Sequence, residues 1–314
     1  MRRIASLTDM DILGLPGLSS AAPRVTARAI VVNPGDMLAV MYAEKYDIHT
    51  LPGGGVDAGE SIEAALRREL NEETGCTITS VTPLGYVEEN RAHADFTQLS
   101  YYYIVRTADD TLTPHLTQAE LANRTRVLWC TPEEAYERIA TPVTKRPQGR
   151  FLQARDMAAL NAYRAWQAIR VLRVTADSPL RPRLADYAQR CSWAAGPHVA
   201  EMLRENRFTG WETAFAAMQG EEIIGYCTFL RTDYYPENRY WPWISSIFVG
   251  EAARGQGVCG LLLDAAIAYA KAQGFGTVYV PSDMTGFYER YGFDKIDELT
   301  NYGGDADSIF ARHI

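Results

Sequence analysis

From residue 53 the chain reads Gly53-Gly54-Gly55-Val56-Asp57-Ala58-Gly59-Glu60, then Ser61-Ile62-Glu63-Ala64-Ala65-Leu66-Arg67-Arg68, then Glu69-Leu70-Asn71-Glu72-Glu73-Thr74-Gly75-Cys76. The glycines mark a loop. Ser61 is suited to cap a helix, and Ile62, Leu66 and Leu70 recur at helical spacing. Gly75 sits where a C-terminal glycine belongs. Glu69, Glu72 and Glu73 then fall at i, i+3 and i+4, on one face. They also fall in the last turns, where the helix dipole already carries negative charge. Like charges so placed repel by about 0.2–0.5 kcal/mol per pair. Arg67 and Arg68 offset part of this, and a solvated acidic face is the plain reading. A divalent cation is the other relief, since carboxylate oxygen suits Mg²⁺ or Mn²⁺.

Upstream, Arg24–Val32 and Met37–Tyr42 are rich in apolar and β-branched residues and flank Asn33-Pro34-Gly35-Asp36, which predicts a hairpin. Downstream, strands are expected near 77–88, 98–106 and 126–130, with helices at 132–139 and 153–168. A strand at 170–174 then opens a second half with a helical region over 180–206 and strands at 212–218, 222–231 and 241–249. A glycine-rich turn leads to a helix from Val258 to Ala272, a strand follows at 277–281, and a short helix near 284–291. The order of elements differs between the halves, so duplication does not explain them.

The 314 residues fit two domains. Apolar residues make up 47%, charged residues 22%, and mean hydropathy is slightly negative, a composition that excludes a disordered chain, a collagen or a coiled coil. The net charge of −8 is shared evenly, with 17 basic against 21 acidic residues up to Gln167 and 14 against 18 after it. Neither half is the basic body of a nucleic-acid or anionic-membrane binder. Five scattered cysteines with no Cys-x-x-Cys pair argue against a zinc site or a disulfide framework. With no long apolar run, a cytoplasmic chain without a membrane span is expected.

Gly54, Glu60, Arg68-Glu69-Leu70, Glu72-Glu73 and Gly75-Cys76 resemble the Nudix box, G-x5-E-x7-R-E-U-x-E-E-x-G-U. Cysteine at 76 is smaller than the usual aliphatic residue there. The resemblance covers about residues 24–168. It implies hydrolysis of a pyrophosphate bond in a nucleoside diphosphate derivative, with Glu69, Glu72 and Glu73 holding metal and Arg68 orienting one of those acids. It also implies a tight glycine turn at 53–55 and a supporting role for Glu60. The general base lies either in the box or among Glu88, Glu89 and Glu120. Tyr86, Arg91, His93, Phe96, Tyr101 and Tyr103 are candidates for nucleoside contacts, or simply for sheet packing.

In the second half, Ile244–Val249 reads as a buried strand running into Gly250-Glu251-Ala252-Ala253-Arg254-Gly255-Gln256-Gly257-Val258-Cys259-Gly260. A glycine-rich turn from strand to helix presents backbone N–H groups that suit pyrophosphate. Arg254, Gly257 and Val258 fit motif A of the Gcn5-related N-acetyltransferases, R/Q-x-x-G-x-G/A, with Cys259 where glycine or alanine is usual. Phe287-Tyr288, followed by Gly292-Phe293, resembles motif B. The resemblance covers about 171–314 and implies acetyl transfer from acetyl-CoA to an amine, small or on a protein. Backbone from Arg254 through Gly255, Gln256, Gly257, Val258 and Cys259 to Gly260 would cradle pyrophosphate. Phe248 and Val249 would pair with the pantetheine arm, and Tyr288 would protonate the leaving thiolate. Asp233, Glu237 and Asp283 are acids near the expected cleft; a lip of Asp233 and Glu237 would favour a cationic amine.

The two resemblances together imply an α/β (α+β) chain: a Nudix α/β/α sandwich over 1–168, then a GNAT mixed-sheet domain over 169–314. The expected activity is bifunctional. The alternative is a Nudix hydrolase whose second domain senses acyl-CoA without transferring acetyl. The expected partners are a small nucleotide derivative, acetyl-CoA and an amine, with no membrane and no nucleic-acid polymer; self-association is left open.

Overall fold

Asn33 turns the first hairpin through its side chain: its Oδ1 accepts from the N–H groups of Gly35 and Met37, at 3.0 and 2.9 Å. The strands it joins anchor the first of two units in a computed structural model that describes residues 1–111, 113–141 and 146–314. The units are Met1–Gln167 and Ala168–Ile314.

The first unit runs β1 (Arg3–Thr8), α1 (Asp9–Leu13), β2 (Arg24–Val32), β3 (Leu38–Ala43), β4 (Ile48–Thr50), β5 (Gly53–Gly55), α2 (Ile62–Thr74), β6 (Ile78–Arg91), β7 (Phe96–Thr107), α3 (Gln118–Ala122), β8 (Thr125–Cys130), α4 (Pro132–Ala140) and α5 (Pro147–Gln167). Its strand order is β1-β6-β7-β2-β3-β4, with β5 added to β2 and β8 to β3. β1 with β6 and β2 with β7 run parallel; the other pairs are antiparallel.

Alternation along β2 decides what lies on each face. Ala27, Ala29 and Val31 pack with Ala65, Leu66 and Leu70 of α2. Ile30 and Val32 pack on the other face with Ala159, Leu160 and Tyr163 of α5. Small residues at 27 and 29 let α2 approach the sheet closely. Ser61 caps α2 through a bond from the Ala64 N–H, and Gly75 ends it at φ 67°, donating to Leu70 and Asn71.

The second unit runs β9 (Ile169–Val174), α6 (Leu180–Arg190), α7 (Gly196–Arg204), β10 (Thr213–Gln219), β11 (Glu222–Leu230), β12 (Trp243–Val249), α8 (Val258–Ala272), β13 (Thr277–Ser282), β14 (Asp294–Thr300) and β15 (Ala306–His313). The sheet order is β14-β15-β13-β12-β11-β10-β9. α6 and α7 cover one face through Leu184, Val199 and Leu203 against Ala214, Ala216 and Tyr226. On the other, Tyr269 of α8 meets the rings of Phe215 and Phe229. β12 and β13 run parallel and share a single register pair, Trp243 with Tyr279. Pro281 brings no N–H to a longer ladder.

Three sequence expectations change. The helical region over 180–206 is two helices, broken at Cys191–Ala195. The helix expected from 153 begins at Pro147, the first-turn position proline favours. The helix expected near 284–291 is only a 3-10 turn, Glu289–Tyr291. No helix among the described residues is long and apolar enough to cross a membrane.

Gly75 gives a direct test of the end of α2. A Cβ there would lie 2.5 Å from the Thr113 carbonyl oxygen, on backbone that already needs a positive φ. Gly75→Ala is expected to cost about 2 kcal/mol or more, read as a fall of roughly 5 °C in the melting temperature of the first unit.

Candidate active sites

In the first unit, Arg68 organises the polar residues. Its guanidinium grips both Glu60 oxygens, at 3.1 Å from Nε and 3.0 Å from Nη2. It also donates to the Gly55 carbonyl at 2.9 Å and to Glu69 at 2.8 Å, with Glu72 at 3.8 Å. One side chain of α2 therefore ties the preceding loop to two acids of its own helix. The hydrogen bonds from Arg68 hold the Glu60 carboxyl below the usual range. Glu69 goes the other way: burial raises it, and the opposing pull of Arg68 does not cancel that.

The glycine loop is shaped by what touches it. β5 pairs antiparallel with Thr26–Arg28 of β2. At Gly53 a Cβ would stand 2.3 Å from the Ala27 carbonyl oxygen. At Gly54 it would stand 2.4 Å from the carboxyl atoms of Glu69. The Gly53 N–H donates to Glu73 at 2.5 Å. Glu73 is 7% exposed, and burial pushes its pKa up to about 8 against the pull of Gly53 and Arg28. Glu120 adds negative potential at both Glu69 and Glu73.

The three later acids separate clearly. Glu88 pairs with Arg3 in a partly exposed position at 3.0 Å. Glu89 is fully buried and held by Arg91 and Gln98. Glu120 lies near the box acids, while its carboxylate accepts from the Thr117 N–H and hydroxyl, both at 2.7 Å. Of the aromatic candidates, Tyr101 and Tyr103 pack under α2, and Tyr86 lies against Tyr101 with ring centres 5.6 Å apart. Arg91 is sandwiched by Phe96 and Phe151, at 5.0 and 4.8 Å, and His93 Nδ1 meets Asp9 at 2.7 Å.

In the second unit the turn after β12 uses two left-handed glycines, Gly255 and Gly257, each at φ 73°. Gly257 is the residue that caps α8, so Val258, Cys259 and Gly260 form its first turn. Arg254 folds back, donating to the Val249 carbonyl at 3.0 Å with its guanidinium 5.8 Å from the Phe248 ring centre. Gln256 is buried and donates to the Ala252 carbonyl at 3.1 Å. Gly260 is required by the Tyr291 ring, which a Cβ would approach to 2.8 Å. Phe248 packs in the core and Val249 pairs with Gly225 of β11.

Tyr288 is 7% exposed among Phe287, Phe293 and Phe310. Burial, reinforced by the nearby Cys259 thiol, pushes its phenol above the usual range, so it stays protonated at neutral pH. The three acids near the expected cleft have separate surroundings. Asp233 accepts from the Ser245 hydroxyl and the Tyr234 N–H, Glu237 pairs with Arg239 at 2.7 Å, and Asp283 is exposed.

Residues 22–153 match the NUDIX domain family, and residues 179–293 match the acetyltransferase (GNAT) family. The chain joins a NUDIX domain to a GNAT domain. A nucleoside triphosphatase, NudI, of Escherichia coli O17:K52:H18 is 43% identical over 63 residues, 19% of this chain and 45% of the relative. An acetyltransferase of Agrobacterium fabrum is 41% identical over 64 residues, 19% of this chain and 47% of the relative. The chain thus spans just under half the length of each of these relatives. A solved GNAT family acetyltransferase from Elizabethkingia anophelis, with acetyl-CoA bound, superposes at TM-score 0.33 and 19% identity, over 47% of this chain and 99% of that one.

Sequence reasoning missed a polar cluster inside the NUDIX domain. Arg155 and Asp156 of α5 are buried and paired at 2.8 Å, and Asp156 accepts from the Leu51 N–H at 2.9 Å and the Tyr102 hydroxyl. Arg28 of β2 completes it. The available signal was Arg28 at the same strand parity as the apolar Ile30 and Val32.

Cys259 offers a test in the GNAT domain. Burial pushes its thiol up to about 12. Burial favours the neutral form, so reactive thiolate is lost as the chain folds and returns only at high pH. At pH 8, alkylation of Cys259 in the native protein is expected to be roughly 10³-fold slower than in the unfolded chain, where an ordinary thiol pKa near 8.5 applies. Mass spectrometry of the modified peptide measures this.

Proposed function

We propose that the chain is a bifunctional enzyme. The NUDIX domain hydrolyses a pyrophosphate bond in a nucleoside diphosphate derivative, and the GNAT domain transfers acetyl from acetyl-CoA to an amine. The supporting observation is that each motif is gathered around one organising feature: the Arg68 fork in the first domain, the Gly255–Gly257 turn onto α8 in the second.

Glu69, Glu72 and Glu73 form an all-oxygen donor set on one helix face, which fits a hard divalent cation such as Mg²⁺ or Mn²⁺. Burial and mutual repulsion raise Glu69 and Glu73, and a cation relieves both effects. Among the described residues no three His, Cys, Asp or Glu side chains converge as they stand. Glu69 faces Arg68 and Glu73 faces Gly53, so these acids would turn from those partners to bind metal. A bound metal would neutralise phosphate charge and lower the pKa of the attacking water. Arg68 orients Glu69, and the glycine backbone lets phosphate approach closely. Of the later acids, Glu120 is the best placed to take a proton from water. The likeness to a nucleoside triphosphatase puts nucleoside triphosphates first among substrates to test.

In the GNAT domain, amides from Arg254 to Gly260 would hold the pyrophosphate of acetyl-CoA at the start of α8. Phe248 and Val249 would pair with the pantetheine arm along the side of β12 that parts from β13. A neutral amine attacks the acetyl carbon and forms the C–N bond, the C–S bond breaks, Tyr288 supplies a proton to the departing thiolate, and the proton shed by the amine nitrogen passes to water and restores the phenol.

Two substitutions test the halves separately. Glu73→Gln keeps an acceptor for the Gly53 N–H and should preserve helicity by circular dichroism, while Mg²⁺-dependent hydrolysis drops about 10²-fold or more; undiminished turnover would refute the assignment. Tyr288→Phe should slow transfer about 10²-fold with acetyl-CoA affinity unchanged. Acetyl-CoA binding by the wild type without transfer to any amine would make this half an acyl-CoA sensor.

A further inference from the structure

Arg28 lies on β2 between two neighbours, Gly53 of β5 and Tyr102 of β7. Strand parity sends its side chain to the α5 face, with Thr26, Ile30 and Val32 and opposite to Ala27 and Ala29. That interior holds two satisfied ion pairs. Arg91 binds Glu89, and Arg155 binds Asp156. The remaining acceptor capacity of the two acids is taken by Gln98, Tyr102 and the Leu51 N–H.

Arg28 is the third cation, and it has no third carboxylate. Its Nη1 donates to the Leu51 carbonyl at 3.0 Å, and its Nε is buried with no hydrogen-bond partner. Among the described residues it enters no ion pair; Glu73 and Asp156 act on it only at longer range. Glu73 spends its closest contact on Gly53 instead. Arg28 as a whole is partly exposed, but its Nε is shut off from water without an acceptor, and such a donor costs stability until some group meets it. Beside the box acids, such a cation suits an anion from outside.

The position identifies the anion. Gly53 is both the register partner of Arg28 and the donor to Glu73, so Arg28 stands one backbone contact from the box acids. A planar guanidinium whose Nε lacks an acceptor matches phosphate oxygens. We infer that Arg28 is a substrate-binding residue of the NUDIX domain, taking a phosphate oxygen of the nucleotide from the α5 side of the sheet while the box acids act from the α2 side. This rests on the pyrophosphohydrolase reading above.

The test uses the full chain with Arg28→Met and Arg28→Lys. Melting is followed in Mg²⁺ with a methylene-bridged nucleoside triphosphate that resists hydrolysis, and with inorganic pyrophosphate. Met keeps the stem and removes the charge. The Met variant is expected to melt no lower than wild type without ligand, since the unsatisfied Nε donor has gone. Its affinity for both ligands should fall about tenfold or more, with Lys intermediate. Unchanged affinity for both would overturn the inference, as would a lower unliganded melting temperature with affinity intact, the mark of a structural strut. A wild type stabilised by neither compound would overturn the pyrophosphohydrolase reading itself, a result visible without any variant.

Discussion

The Arg68 guanidinium is the constraint on which the first site depends. It is a single cation satisfying both oxygens of Glu60, one of Glu69 and the carbonyl of Gly55. Without it, the end of α2 would carry three acids against the negative end of its own dipole, with Arg67 turned to Glu63 and Arg28 acting only on Glu73 from a distance. With it, the loop before the helix and the acids on it share one frame. The frame tolerates only glycine where backbone meets backbone at Gly53, and where backbone meets the Glu69 carboxylate at Gly54. Lysine could not replace this arginine, because a point charge reaches one or two acceptors where the fork reaches four.

The second domain meets the opposite electrostatic problem. The first turn of α8 exposes N–H groups that no residue of the helix can satisfy. Gly257 caps it with no side-chain acceptor, unlike Ser61 on α2 or Thr131 on α4. Positive φ at 255 and 257 turns the chain sharply enough to keep those amides together. Gln256, between the two glycines, points inward and bonds to Ala252, so it steadies the turn rather than its outer surface.

What the sequence revealed follows the range of the forces involved. The hairpin at Asn33–Asp36, α2 from its Ser61 cap to Gly75, and α8 over Val258–Ala272 are set by local chemistry, and all were legible. β1 was not, because its parallel partner β6 lies about eighty residues away and Arg3–Thr8 has no strong local pattern. β14, Asp294–Thr300, was likewise hidden: it is a half-polar edge strand with charged residues at four of its seven positions. The break between α6 and α7 is marked in the sequence by Gly196-Pro197, which opens α7, and Gly196 is also fixed by tertiary contact, a Cβ there lying 2.3 Å from the Ala188 carbonyl oxygen. Among the sites, the box acids and the glycine turn were readable as motifs. The surroundings of the later acids were not: Glu88 and Glu89 lie on β6 and Glu120 on α3, and only the fold shows Glu89 buried against Arg91 and Gln98.

Arg28 and Asp156 extend the same logic to the interior. At the strand parity of Ile30 and Val32, an arginine costs stability, and other groups lower that cost. Asp156 does this in part, by fixing Arg155, Tyr102 and the Leu51 backbone and so placing the Leu51 carbonyl against Arg28. Leu51 leads directly into Pro52 and the glycine loop. The buried pair thus sets the height of that loop from the α5 side, as Arg68 sets it from the α2 side. The loop between them is therefore tied from both faces of the sheet, by Arg68 at Gly55 and by Arg28 and Asp156 at Leu51.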